Sequence, residues 1–389
     1  MSDNRIPYGR QDINDEDIAA VVAAMKSDFL TQGPEVPRFE QTVARYCGAK
    51  HAIAVNSATS ALHIACLALG LGPGDLLWTT PITFVASANC AFYCGADVDF
   101  VDIDPVTCNL SPKALGEKLA IAKKDGRLPK ILVAVHLSGE PCDMRALGEL
   151  CTQYGVSIIE DASHAIGGRY DAFPIGKCEY SAVTVFSFHP VKIITSAEGG
   201  MALTNDAELA RQMALLRSHG ITRDPDKMQN IPHGSWYYEQ IALGFNYRMT
   251  DIHAALGTSQ MKRLDAFMKR RHELADRYDD LLSGLPIATP HRNRYNYSGL
   301  HLYVIRVPAR SGRPDRDTVF KRLHEAGIGV NLHYIPVHTQ PYFRDHGQAN
   351  KSYPEAETYY REAITLPLYP GLSDKDQDRV VAALTAALD

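Results

Sequence analysis

No run of about 18 consecutive apolar residues occurs in the 389-residue chain, so nothing in it reads as a membrane span. The opening residues, MSDNRIPYGRQDINDED, are polar and acidic and lack the apolar core of a secretory leader; the expected compartment is the cytoplasm. An excess of one charge is missing too. Against 45 acidic residues stand 40 basic ones, well mixed, for a formal net charge of -5, and without a basic stripe nucleic acid is not an expected partner. There is no Walker A sequence, no HExxH and no GxSxG. GLGPGD at 70–75 has the glycines of a dinucleotide loop, but it follows a helical pattern and precedes a strand, the reverse of the required order. The 15 histidines form no compact ligand group, and Cys90 and Cys94 do not have zinc spacing, so no metal is expected. All 8 cysteines read as reduced packing residues.

What is present is an ordinary globular composition, 45% hydrophobic and 22% charged, in a chain long enough for two domains. Between 51 and 205, β-rich runs alternate with helical patterns: HAIAVN (51–56), LLWTTP (76–81), DVDFVDID (97–104), ILVAVHL (131–137), VSIIED (156–161) and AVTVFSFH (182–189). That alternation predicts an α/β fold, a mostly parallel sheet with helices on both faces. MALTN (201–205) adds an edge or an antiparallel strand. A charged amphipathic stretch from 251 to 282 leads toward a smaller α+β unit containing HLYVIRV, DRDTVFKRLHEAG and a final helix. The expected division is a large α/β domain with an N-terminal arm over 1–255, and a bridging helix with a small C-terminal domain over 256–389.

Three segments carry the parts of a Schiff-base enzyme: a nucleophilic lysine, an acid for a pyridine nitrogen, and a phosphate cradle. Each lies where a strand ends, the place at which open α/β sheets bind ligands. In TVFSFHPVKIITSAEGGMAL, Pro190 stops the strand and Lys192 follows in a turn flanked by Val191, Ile193 and Ile194; such surroundings lower a lysine's pKa. In VSIIEDASHAIGG, Asp161 emerges at a strand's carboxyl end, where it serves either as a helix N-cap or as the partner of a pyridinium N–H. In VNSATSALHIACLALG a helix begins near Thr59 after small hydroxyl residues, an arrangement suited to a phosphate or simply to capping. Ser187 can add a hydroxyl, and Phe84 is either a ring that stacks on the pyridine or a core aromatic.

These segments, with SDFLTQGPEVPRFE, TTPITFVASANC, FVDIDP, RSHGITRD, LGFNYRMTDIHAALG and YIPVHTQPY, follow one another in an order that resembles the DegT/DnrJ/EryC1/StrS sugar aminotransferases over nearly the whole chain. The resemblance implies the fold-type I architecture of aspartate aminotransferase-like enzymes and the cofactor pyridoxal 5'-phosphate (PLP). It implies that Lys192 holds the cofactor covalently and shuttles the proton, that Asp161 holds the pyridine nitrogen, that Phe84 stacks, and that His164 sits near the ring hydroxyl. Ala58, Thr59 and Ser187 would bind the phosphate, with Asn246 reaching in from the second subunit of a homodimer with shared active sites. A branch of the family that carries histidine in place of the lysine acts as sugar dehydratases, so Lys192 favours transamination. Within the family the resemblance is nearest, on SDFLTQGP, HPVKIITSAEGG, SWYYEQ and YIPVHTQPYF, to the 4-aminotransferases of pseudaminic acid biosynthesis, which use glutamate and a UDP-linked 4-keto-6-deoxy sugar. Another nucleotide-sugar 4- or 3-aminotransferase, or a PLP-dependent sugar dehydratase, is the alternative. The expected sugar contacts are Thr31 and Gly33 in FLTQG (29–33), Arg248, and Tyr334 and His338 in YIPVH (334–338).

Overall fold

The computed structural model describes residues 5–389. Seven strands form one sheet: β1 (His51–Val55), β2 (Leu76–Thr79), β3 (Asp97–Phe100), β4 (Ile131–Val135), β5 (Ser157–Asp161), β6 (Val183–Ser187) and β7 (Gly200–Thr204). Their spatial order is β1-β7-β6-β5-β4-β2-β3. The central strands are buried along their whole length, as in ILVAV and VTVFS, which is the pattern of a sheet covered on both faces. All neighbours are parallel except β7, which is antiparallel to both β1 and β6. MALTN is thus antiparallel and internal, and β1 occupies the edge.

After α1 (Asp15–Met25) and α2 (Glu35–Cys47), the sheet helices are α3 (Ala58–Ala68), α4 (Ala86–Tyr93), α5 (Pro112–Lys124), α6 (Met144–Tyr154) and α7 (Ala207–Arg217). Several begin where a short polar side chain accepts a first-turn N–H: Ser57 for α3, Ser111 for α5, Asp143 for α6 and Asp206 for α7. The charged stretch from 251 resolves into two helices, α8 (Asp251–Met261) and α9 (Leu264–Leu281), interrupted at Lys262 and Arg263. A cut at 255/256 would fall inside α8.

Beyond α9, the antiparallel pair Tyr303–Arg306 and Ala363–Leu366 packs with α10 (Arg316–Glu325) and the helix Asp374–Leu388. Their core includes Leu274, Tyr278, Leu323 and Leu384. Leu302, Val304, Val337 and Tyr359 instead join the cluster that contains Ile131, Val133 and Val185 of the large sheet. This shared packing brings the 333–334 loop over the carboxyl ends of the strands. No helix among the described residues is long and apolar enough to cross a membrane.

Candidate active site

The strand order decides the site. β5 and β6 run side by side, so Asp161, the last residue of one, and Ser187, the last of the other, meet at one end of the sheet. The antiparallel return of β7 brings Gly200 against the start of α3. A Cβ on Gly200 would lie 2.4 Å from the Ala58 amide nitrogen, so only glycine allows this approach. Lys192 follows Pro190 in a turn closed by its own amide, which donates to the His189 carbonyl at 2.9 Å. Ala58, Thr59, Phe84, Asp161, His164, Ser187, Lys192 and Tyr334 all line one cavity of about 530 Å³.

Both oxygens of Asp161 are engaged. Ser87 Oγ donates to Oδ2 at 2.6 Å, and Ser163 donates to Oδ1 through its hydroxyl at 2.6 Å and its amide at 3.2 Å. These bonds fix the plane of the carboxylate, as a group that must meet one ring nitrogen requires. Lys192 Nζ has no hydrogen bond or ion pair among the described residues. Burial pushes its pKa down to about 8, against the opposing pull of Asp161. His164 is held well below the usual histidine range by burial and then by the charge of Lys192, so its imidazole is neutral. Its Nε2 lies 3.1 Å from the Tyr334 hydroxyl, and its buried Nδ1 has no partner among the described residues.

At the start of α3, Ser57 Oγ takes the Ser60 N–H and the Ser57 carbonyl takes that of Ala61, each at 3.1 Å. Among the described residues the Ala58 and Thr59 N–H groups are first-turn donors with no acceptor, and both residues line the cavity with Ser187. An anion cradle, an oriented carboxylate, an unpaired amine and an unpartnered imidazole nitrogen are the donor set that a phosphorylated pyridine aldehyde with a ring hydroxyl needs. The residues fit PLP.

Five expected contacts do not line this cavity. Thr31 pairs with Thr250, and the Gly33 amide donates to Asp251 at 2.8 Å, so FLTQG is stitched to the start of α8. Asn246 is exposed and bridges to Ser218, and Arg248 bridges to Val55. His338 does not line the cavity either. It is 3% exposed, sits 3.4 Å from Glu357 and packs on Tyr353, because the short helical turn Val337–Thr339 directs it away from the cavity and under the fold. Conversely, Tyr8, Glu198, His301 and His333 line the cavity and Ser87 and Ser163 hold Asp161, none of which sequence reading picked out. Single serines and histidines at these spacings carry no local signal.

Glu160, next to Asp161, faces the opposite side of the sheet. The Cys142 amide donates to His136 Nδ1 at 3.1 Å, which leaves His136 Nε2–H to donate to Glu160 at 2.8 Å. Ser181 and Thr184 also donate to Glu160, at 2.5 and 3.1 Å. Burial raises the pKa of this carboxyl, but these donors outweigh it and the net shift is downward. A depressed pKa contributes stability above the ordinary value of 4.5 that is lost as pH falls through the folded value. Glu160→Gln should therefore cost about 2–3 kcal/mol near neutral pH in urea unfolding. The deficit should shrink as pH drops below 4.5; a constant deficit would show that charge plays no part.

Comparison with known proteins gives a consistent answer. The sequence model of the DegT/DnrJ/EryC1/StrS aminotransferase family matches residues 11–385. The spore coat polysaccharide biosynthesis protein SpsC of Bacillus subtilis is 38% identical over 382 residues, 97% of this chain and 96% of that protein. Among solved structures, Helicobacter pylori PseC, an aminotransferase involved in the biosynthesis of pseudaminic acid, superposes with a TM-score of 0.90 at 30% identity, covering 99% of each chain. The PLP form of the putative sugar aminotransferase Spr1654 of Streptococcus pneumoniae gives 0.87 at 30% identity over 99% of this chain and 100% of that one.

Proposed function

We propose, from the premise that this chain belongs to the DegT/DnrJ/EryC1/StrS aminotransferase family, that it transfers an amino group from glutamate to C4 of a UDP-linked 4-keto-6-deoxy-N-acetyl-hexosamine. The coarser statement follows from the premise: the chain is an enzyme, a PLP-dependent sugar aminotransferase of fold type I. The finer one makes the product UDP-4-amino-4,6-dideoxy-N-acetyl-β-L-altrosamine, in cytoplasmic pseudaminic acid biosynthesis. Its support is the order of sequence segments and the likeness to PseC.

The observation that carries the chemistry is the unpaired Lys192 amine sharing a cavity with a doubly anchored Asp161. PLP, when bound, supplies an electron-withdrawing ring that stabilises negative charge on the neighbouring carbon. Asp161 would hold a proton at the ring nitrogen and so keep that ring cationic. The N-terminus of α3 and Ser187 would hold the phosphate, the unpartnered His164 Nδ1 would be available to the ring oxygen, and Phe84 would flank the ring. Lys192 Nζ removes the proton from the amino-bearing carbon of the donor and delivers one to C4 of the sugar. With a pKa of about 8 it exchanges between its two states near neutral pH. Tyr8, His333 and Tyr334 also line the cavity, with the Tyr8 and His333 rings 5.6 Å apart.

Incubation with PLP, glutamate and a panel of UDP-linked 4-keto sugars should give the 4-amino product from the L-arabino substrate, identified by mass spectrometry and NMR. Preference for the D-xylo epimer or a dTDP-sugar would overturn the specific assignment. Amination of ordinary 2-oxo acids alone would overturn the sugar assignment.

The active form in this reading is a homodimer that shares its sites. Asn246 and Arg248 lie outside their own subunit's cavity, while Phe29, Leu30, Trp236 and Leu243 leave large apolar side chains uncovered. Mixing inactive Lys192→Ala and Asn246→Ala proteins should then restore activity, because one site of each mixed dimer is intact. Mixed dimers verified by mass that stay inactive would place both residues in one subunit's site.

A further inference from the structure

Behind the cavity lies a cation that no carboxylate neutralises. Arg271, in α9, is 2% exposed and has no ion pair among the described residues. Its Nη1 donates to three carbonyls, those of Leu300 at 3.2 Å, His301 at 3.3 Å and Leu368 at 3.0 Å, and its Nε has no partner among the described residues. Burial lowers its pKa to about 10. A charge buried without a counter-ion is costly, and an apolar side chain would pack there without that penalty. The carbonyls it holds belong to a segment that needs holding.

Leu300 has φ 42, in the left-handed region that non-glycine residues rarely occupy. A Cβ on the preceding Gly299 would lie 2.6 Å from the His164 carbonyl oxygen, so this segment is pressed directly onto the loop that follows Asp161. The His301 amide donates to the Ser138 carbonyl at 2.8 Å, which fixes the segment from its other side. The outcome is a His301 ring on the cavity wall, 4.6 Å from the ring of His164, which in turn meets the Tyr334 hydroxyl. Burial keeps both imidazoles neutral.

We propose that Arg271 is a positioning residue of the active site: by clamping the carbonyls of Leu300 and His301 it sets the His301 ring against His164 and thereby orients the His164–Tyr334 pair. The inference rests on the proposed function only for its turnover readout. The same rings flank the cofactor site, so the absorption spectrum of the bound cofactor provides an independent one.

The test uses full-length holoenzyme and three variants, Arg271→Met, Arg271→Lys and His301→Gln, together with the Arg271→Met/His301→Gln double variant. Arg271→Met should lower kcat about tenfold or more with the KM for glutamate changed less than about twofold, the pattern of lost positioning and not lost binding. It should also shift the absorption maximum of the bound cofactor, and Arg271→Lys should recover part of both. His301→Gln should reproduce the loss. Because both act through one ring, the double variant should be no worse than the worse single one. Fold-losses that multiply would overturn the proposal, as would a wild-type kcat and spectrum in Arg271→Met. Should Arg271→Met not fold, an unchanged kcat and spectrum in His301→Gln would overturn it equally. A wild-type protein that aminates no nucleotide sugar would refute the functional reading instead, while the spectra would still decide the role of Arg271.

Discussion

Replacement of Lys192 by alanine should abolish multiple turnover while leaving the fold and the cavity in place. Lys192 is the amine on the wall that makes no hydrogen bond or ion pair among the described residues, and burial, against the pull of Asp161, brings its pKa down to about 8. Proton transfer by a positioned base contributes about 10²–10⁴-fold, and loss of the covalent attachment adds to that. Turnover should therefore fall at least about a thousandfold. Borohydride treatment of the wild-type holoenzyme should bleach its visible band and fix the cofactor to the peptide that contains Lys192. The apo protein should react with a small aldehyde faster as pH rises, with a midpoint near 8, since it is the neutral amine that attacks. A label on any other lysine, or sustained turnover by Lys192→Ala, would remove the central assignment.

Asp161→Ala should produce the second large loss, by a different route. Removing the carboxylate leaves the hydroxyls of Ser87 and Ser163 without their acceptor and, in the proposed function, the ring nitrogen without the group that holds its proton. Deleting one preorganised electrostatic partner at a reacting centre typically costs about 10²–10³ in kcat. Turnover should fall by that order even in samples that still retain cofactor, as judged by absorbance. Asp161→Asn should keep both serine contacts but still lose most of the activity, because an amide cannot hold a pyridinium by charge. A loss below about tenfold in Asp161→Ala would return Asp161 to the role of a helix N-cap.

His338 and Asn246 show where linear reasoning stops. Tyr334 and His338 sit four residues apart in one short segment, and on the sequence both have the chemistry to meet a sugar. Only Tyr334 lines the cavity; the turn Val337–Thr339 carries His338 beneath the fold to Glu357. Asn246, which the family resemblance places at a shared site, is exposed. Yet it bridges to Ser218, far enough round the subunit that its own cavity does not include it. Ser87 and Ser163 were illegible for the opposite reason. They are ordinary residues whose importance comes from one long-range and two local hydrogen bonds to Asp161.

The sequence by itself determined the strands, the ends at which they carry Asp161 and Ser187, the turn after Pro190 that holds Lys192, and the capped start of α3. Those features follow from periodicity, proline and short polar side chains, all of which act over a few residues. It also determined the nature of the sheet, because strands buried on both faces and joined by helices are driven to run parallel. Only the tertiary structure decided that β7 inserts between β1 and β6, which seats Gly200 against Ala58 and completes the anion cradle. It likewise decided that Arg271, 110 residues after Asp161 in the chain, supports the wall beside His164. Strand order and buried polar clamps depend on which surfaces pack together across the whole chain, and no local pattern encodes that choice.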